Sequence, residues 1–174
     1  MELFKIVSKL SLNDYIRLNF RVNFSKVSFI FLFITAFLFI SIGGMSVIYF
    51  HPQPDGNDID ITYYLVLAYG IFVMIYLPAE VFLRARRRFN VCQRIQEEIY
   101  YEFTEDQVKI TGESFHYHFY WSKIFEIRKV DDFLLIYQEK SIANIVSLQS
   151  VDKKEYRKLK EFIHSKDLDI KVRM

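Results

Sequence analysis

The chain has 174 residues, 52% of them hydrophobic and 18% aromatic, with a formal net charge of +2. Once a membrane part is set aside, that length leaves one small globular domain. Residues 89–174 hold fourteen Lys and Arg against fifteen Asp and Glu, which excludes the clearly basic surface of a nucleic-acid-binding domain.

Residues 1–26 carry Lys5, Lys9, Arg17, Arg21 and Lys26 against Glu2 and Asp14. Leu3 to Leu12 alternates weakly, and Ser11-Leu-Asn-Asp-Tyr15 predicts a helix start. Ser11 or Asn13 can accept a bond from an orphan amide, and Asp14 suits the positive helix end. Tyr15, Leu18 and Phe20 among these bases suit a juxtamembrane segment, with aromatics at the headgroup level.

Val27 to Phe50 contains no Asp, Glu, Lys or Arg over twenty-four residues, and Ile61 to Ala79 none over nineteen. At about 1.5 Å of rise per residue, each stretch crosses a hydrocarbon core roughly 30 Å thick. The expectation is a transmembrane hairpin over 27–83, with spans 27–50 and 61–83 joined by an outer loop at 51–60. That loop carries Asp55, Asp58 and Asp60 and no base, whereas Arg84, Arg86, Arg87 and Arg88 follow the second span. Lys and Arg are retained on the cytoplasmic side, so both termini are expected there. Gly43-Gly44 allows close packing between the two spans. Pro78 predicts a kink, and Glu80 stands one helical step before Arg84 for an ion pair.

Residues 84–98 keep a polar helical pattern and read as a stalk; Cys92, the chain's one cysteine, lies on it. Composition then changes. Ile99–Phe103, Val108–Thr111, Phe115–Trp121, Ile124–Arg128, Phe133–Tyr137 and Ile142–Val146 are short β-branched and aromatic runs separated by turn residues, the pattern of an antiparallel meander. Asp152 and Glu155 predict a capping box, and Val151 a staple onto Tyr156. Tyr156, Leu159, Phe162 and Ile163 then fall on one helical face, which would close the strand layer. The tail alternates apolar residues with charges and suits an edge strand.

Chemical signatures are sparse. There is no Gly-x-Ser-x-Gly elbow and no phosphate-cradling glycine loop. His116 and His118 share a strand face, but no third ligand is placed beside them, and structural zinc normally takes cysteines. No enzyme activity, metal or cofactor is expected. Arg84, Arg86, Arg87 and Arg88 are the candidate contacts for anionic lipid headgroups. Phe115, Tyr117, Phe119 and Trp121 are the candidate partner contacts, although Trp121 taken by itself reads first as a core residue between strands.

Leu12-Asn-Asp-Tyr15, two spans, Tyr101-Glu-Phe-Thr-Glu-Asp-Gln-Val-Lys-Ile110, Tyr120-Trp-Ser-Lys-Ile-Phe-Glu-Ile127, Asp132–Tyr137 and a closing Tyr-x-x-Leu-x-x-Phe-Ile helix together resemble the YcxB-like family of bacterial membrane proteins. The resemblance covers nearly the whole chain through diffuse motifs. Where members carry an Ile-Pro-Lys-like step before the last helix, this chain reads Ile145-Val-Ser-Leu-Gln-Ser150. The resemblance implies an α+β membrane protein of the bacterial inner membrane, with a pleckstrin-homology-like cytoplasmic domain over 99–174. It transfers no activity. The expected function is therefore non-catalytic: a scaffold or regulatory subunit that binds a protein partner or a second copy. The alternatives are a sensor of anionic membrane lipid, or an immunity or regulatory factor for a membrane-active partner.

Overall fold

The computed structural model describes residues 2–49, 61–140, 142–149, 151–166 and 171–173. The loop expected at 51–60 and the tail residues 167–170 and 174 lie outside these. The chain divides into two compact units, one of Asn19–Arg87 and one that joins Met1–Leu18 to Arg88–Met174.

The first unit is helical. Helix α1 (Leu12–Phe24) ends in it, α2 (Val27–Tyr49) follows, and α3 (Ile61–Val91) supplies the rest. Helices α2 and α3 are both long and apolar enough to cross a membrane, and only 11% of the most apolar window of each is buried. Phe31, Phe37, Ile48, Leu65, Ile75 and Leu83 all stand exposed, an apolar surface of the kind that marks a protein–protein or a membrane contact. The two helices meet at glycines. A Cβ on Gly43 would sit 2.8 Å from the Leu67 amide nitrogen, and one on Gly70 would sit 2.9 Å from the Ala36 carbonyl oxygen. A Cβ on Gly44 would meet nothing within 4 Å. Of the glycine pair, only Gly43 makes the helix contact. Phe39 and Tyr69 add a ring pair at 5.7 Å. Pro78 lies inside α3, and Arg84 donates to Glu80 as the spacing predicts.

The second unit holds two four-stranded sheets. Strands β1 (Glu2–Ser8), β2 (Ile99–Thr104), β3 (Gln107–Thr111) and β4 (His116–Tyr120) form the first, all neighbours antiparallel. In the second, β7 (Ile142–Ser147), β6 (Phe133–Glu139) and β5 (Glu126–Val130) pair antiparallel, and β8 (Lys171–Arg173) adds to β5 in parallel. The strand rows show why these runs became strands. Ile6, Tyr101, Ile110 and Tyr117 stand opposite one another across the first sheet, and Phe103, Val108 and Phe119 form the next row. All but Tyr117 are buried there. The expected six-strand meander over 99–146 is thus two meanders, broken between β4 and β5 by a 3-10 turn at Trp121–Lys123.

Residues 1–26, read from sequence as one juxtamembrane segment, divide between the two units. β1 completes the first sheet by pairing with β2. Ser8, 2% exposed, takes a hydrogen bond at Oγ from the Ser147 amide (2.9 Å), joining β1 to β7. Ser11 caps α1: its Oγ accepts from the Asp14 amide (3.1 Å), while Asp14 accepts from the Ser11 amide and hydroxyl. Burial works to raise the Asp14 pKa, but these bonds, another from Gln149 and the charge of Arg17 hold it below its ordinary value. Tyr15 and Leu18 are buried, with Tyr15 against Phe89 at 5.9 Å, so their apolar surface is spent inside the protein.

Strand β6 is buried on both faces, from Phe133 to Ile136. Leu134 and Ile136 enter the main core, while on the other side Arg17 of α1 lies over the Phe133 ring and reaches Asp132. The β5–β6 turn places Asp131 at φ 50°, a left-handed conformation that aspartate tolerates better than most residues. Helix α5 (Lys153–His164) buries Leu159 and Ile163 against the core. Phe162 packs on Phe4 and edge-on to Trp121. Asp152 holds the N-cap position of α5, but its side chain makes no cap hydrogen bond, so the predicted capping box is not closed. Val151 and Tyr156 instead anchor the helix start by packing on the core.

Candidate functional site

After α3 the chain bends through a short helix, α4 (Gln93–Gln96), before entering β2. Glu97 sits at that junction, 6% exposed. Its carboxylate accepts from the Ser114 amide (2.9 Å) and hydroxyl (2.6 Å), so it pins the β3–β4 turn. These bonds hold its pKa below the ordinary carboxylate value. Gly112 allows this approach, since a Cβ there would lie 2.8 Å from Glu97 Oε2 and 2.6 Å from the Phe115 ring.

Next to this junction a cleft of about 410 Å³ opens into the second unit. Strands β2, β3 and β4 contribute Ile99, Tyr101, Ile110 and Tyr117 to it, β7 contributes Ile142 to Ile145, and the end of α3 with α4 contributes Arg88, Cys92, Arg94 and Ile95. The floor is polar. Tyr101, buried, donates its hydroxyl to the Ile145 carbonyl (3.0 Å), and burial pushes its pKa far upward. Tyr117 donates to Asn144 Oδ1, and its pKa is also raised by burial, with Arg94 opposing. Asn144 Nδ2 is buried without a hydrogen-bond partner among the described residues. Turning the amide over would orphan Oδ1 instead, so either assignment leaves one polar atom unsatisfied. A buried group in that state costs about 1–3 kcal/mol.

The structure redistributes the residues singled out from sequence. Arg84, Arg86, Arg87 and Arg88 are all exposed on α3, and Arg88 lines the cleft. Phe115 and Tyr117, half-buried, line it too. Phe119 and Trp121 do not present a surface. They are 6% and 4% exposed and belong to the core. Phe119 points inward by strand alternation, and the 3-10 turn carries Trp121 in beneath Phe103, where its Nε1 donates to the Thr104 carbonyl (2.9 Å). Exposed aromatics of this stretch are Tyr120 and Phe125. His116 and His118 are exposed; His116 Nδ1 bonds to Thr111 Oγ1, and His118 stands edge-on to Tyr120. Among the described residues no three His, Cys, Asp or Glu side chains converge on a common point. Arg94 and Asn144 were missed, because only the fold brings α4 and β7 to one cleft.

Residues 103–163 match the family model described as YcxB-like protein. Over these residues the chain is similar to that family. The match runs from the end of β2 into α5, so it takes in β3 to β7 and most of the closing helix but not β1, β8 or either apolar helix. No curated protein and no solved structure matches the chain.

Proposed function

We propose that the chain is a non-catalytic bacterial inner-membrane protein, anchored by α2 and α3 as a hairpin, that presents its YcxB-like region on the cytoplasmic side as a pleckstrin-homology-like interaction domain. It would act as a scaffold or regulatory subunit for a protein partner or a second copy. The observation that carries this reading is the pair of apolar helices whose surface stays uncovered, joined through α3 to a folded domain. Bases flank the helices and acids lie between them, which supports cytoplasmic termini.

The test is crosslinking of the tagged full-length chain in native membranes, followed by purification in mild detergent and identification of what accompanies it. A stoichiometric protein, or a crosslinked homo-oligomer, supports the reading. Recovery as a monomer with enriched anionic lipid overturns it in favour of a lipid sensor. The exposure of Arg84, Arg86, Arg87 and Arg88 favours that second reading, and attraction of this kind weakens steeply with added salt. An immunity or regulatory role would show as a membrane-active partner in the same experiment.

A further inference from the structure

We propose that the cleft between α4, the first sheet and β7 binds a small amphipathic anion, a molecule with one apolar chain and one phosphate or carboxylate group. Its volume of about 410 Å³ lies in the range of small-molecule pockets. Two features of its lining have to be met together. The walls are apolar: Ile95, Ile99, Ile110, Ile142 and Ala143 offer surface to a hydrocarbon chain. The rim is cationic: Arg88 carries no ion pair among the described residues, and Arg94 is held over the Phe115 ring at 5.4 Å. The carboxylate that couples to Arg94, Glu97, is already engaged by Ser114.

An inorganic anion would leave the apolar walls unused, and a plain hydrocarbon would bring no anion to Arg88 and Arg94. Asn144 adds a polar residue to the lining, with its Oδ1 taken by Tyr117 and its Nδ2 buried. A chain bearing a single anionic group answers both the apolar walls and the guanidinium groups. The inference rests on the second unit alone, and neither membrane insertion nor a protein partner is needed for it.

Cys92 provides the readout. It lines the cleft and is the one cysteine of the chain, so the rate at which a maleimide alkylates it in the full-length protein reports occupancy. The protein is placed in nanodiscs of phosphatidylcholine and titrated with dodecyl phosphate or with inorganic phosphate. Dodecyl phosphate is expected to slow alkylation several-fold and inorganic phosphate to leave it unchanged. Arg88→Gln and Arg94→Gln should each raise the concentration for half-protection by roughly tenfold, the loss of one charge-assisted contact. Ala143→Leu should abolish protection by filling the cleft, with the emission of buried Trp121 confirming that the fold is kept.

Nanodiscs that also contain lysophosphatidic acid, which has one acyl chain and one phosphate, identify the source. Slow alkylation there without added ligand assigns the site to a membrane lipid, and fast alkylation assigns it to a free molecule; both support the site. Alkylation indifferent to dodecyl phosphate and lysophosphatidic acid overturns the proposal. So does protection that survives both arginine substitutions, since that is detergent-like partitioning, or equal protection by inorganic phosphate.

Discussion

Glu97 joins three parts of the chain at one carboxylate: the end of α4, the start of β2 and the β3–β4 turn. Because Ser114 stabilises its ionised form, the folded state gives up this proton more readily than the unfolded chain does. Its stabilisation is therefore present above the ordinary value of about 4.5 and lost as pH falls through the depressed folded value. Denaturation of wild type and Glu97→Gln across pH should show a stability difference that is constant above about pH 5 and shrinks below it. A difference that does not change with pH would show that the carboxylate charge is not what holds the turn. Trp121 and Tyr120 are neighbours in sequence with opposite fates, 4% and 54% exposed. Trp121→Ala should cost about 3–5 kcal/mol, as expected for a large aromatic removed from a core. Tyr120→Ala should stay within about 0.5 kcal/mol of wild type. Thermal unfolding of the two variants decides this, and equal losses would contradict the burial of Trp121 beside an exposed Tyr120.

Between elements, the closest approach of α2 to α3 depends on the absence of side chains. Gly43→Ala would push a methyl against the Leu67 backbone, which cannot swing aside as a side-chain tip can. The expected cost is about 1–3 kcal/mol of overpacking. Gly44→Ala meets open space and gains helix propensity, so it should be neutral or slightly stabilising. Thermal melting of the detergent-solubilised variants checks the pair, and a melting point of Gly43→Ala equal to that of Gly44→Ala would remove this contact from the account. The spacing of α5 was legible because an amphipathic helix needs only its own residues to declare its apolar face. Its cap was not, because Asp152 had to meet an amide in three dimensions, and packing of Val151 and Tyr156 secures the helix start without it.

At the scale of the molecule, the second unit is discontinuous in sequence. Ile6, Leu10, Tyr15 and Leu18 are all buried within it. A fragment of residues 88–174 would leave the β2 edge unpaired and the outer face of β6 without α1. It should lack a cooperative thermal transition, and a peptide of residues 1–18 added in trans should restore one. Cooperative unfolding of the fragment alone would show that β1 and α1 are dispensable. The sequence did not show this arrangement, because a seven-residue strand with weak alternation carries little signal of its own and its partner, β2, lies some ninety residues away.

Read alone, the sequence determined what depends on neighbours along the chain: two helices of spanning length, the Glu80–Arg84 pair, the strand runs from β2 to β7 and the apolar face of α5. Each follows from periodicity or composition within a few turns of backbone. Tertiary structure decided what depends on distant residues meeting. It split the meander into two sheets and brought β1 to β2. It turned Phe119 and Trp121 inward, and it gathered Arg88, Arg94, Tyr117 and Asn144 around one cleft. The physical reason is the same in each case: burial and hydrogen-bond satisfaction are properties of assembled surfaces, and no local pattern records which surfaces will face each other.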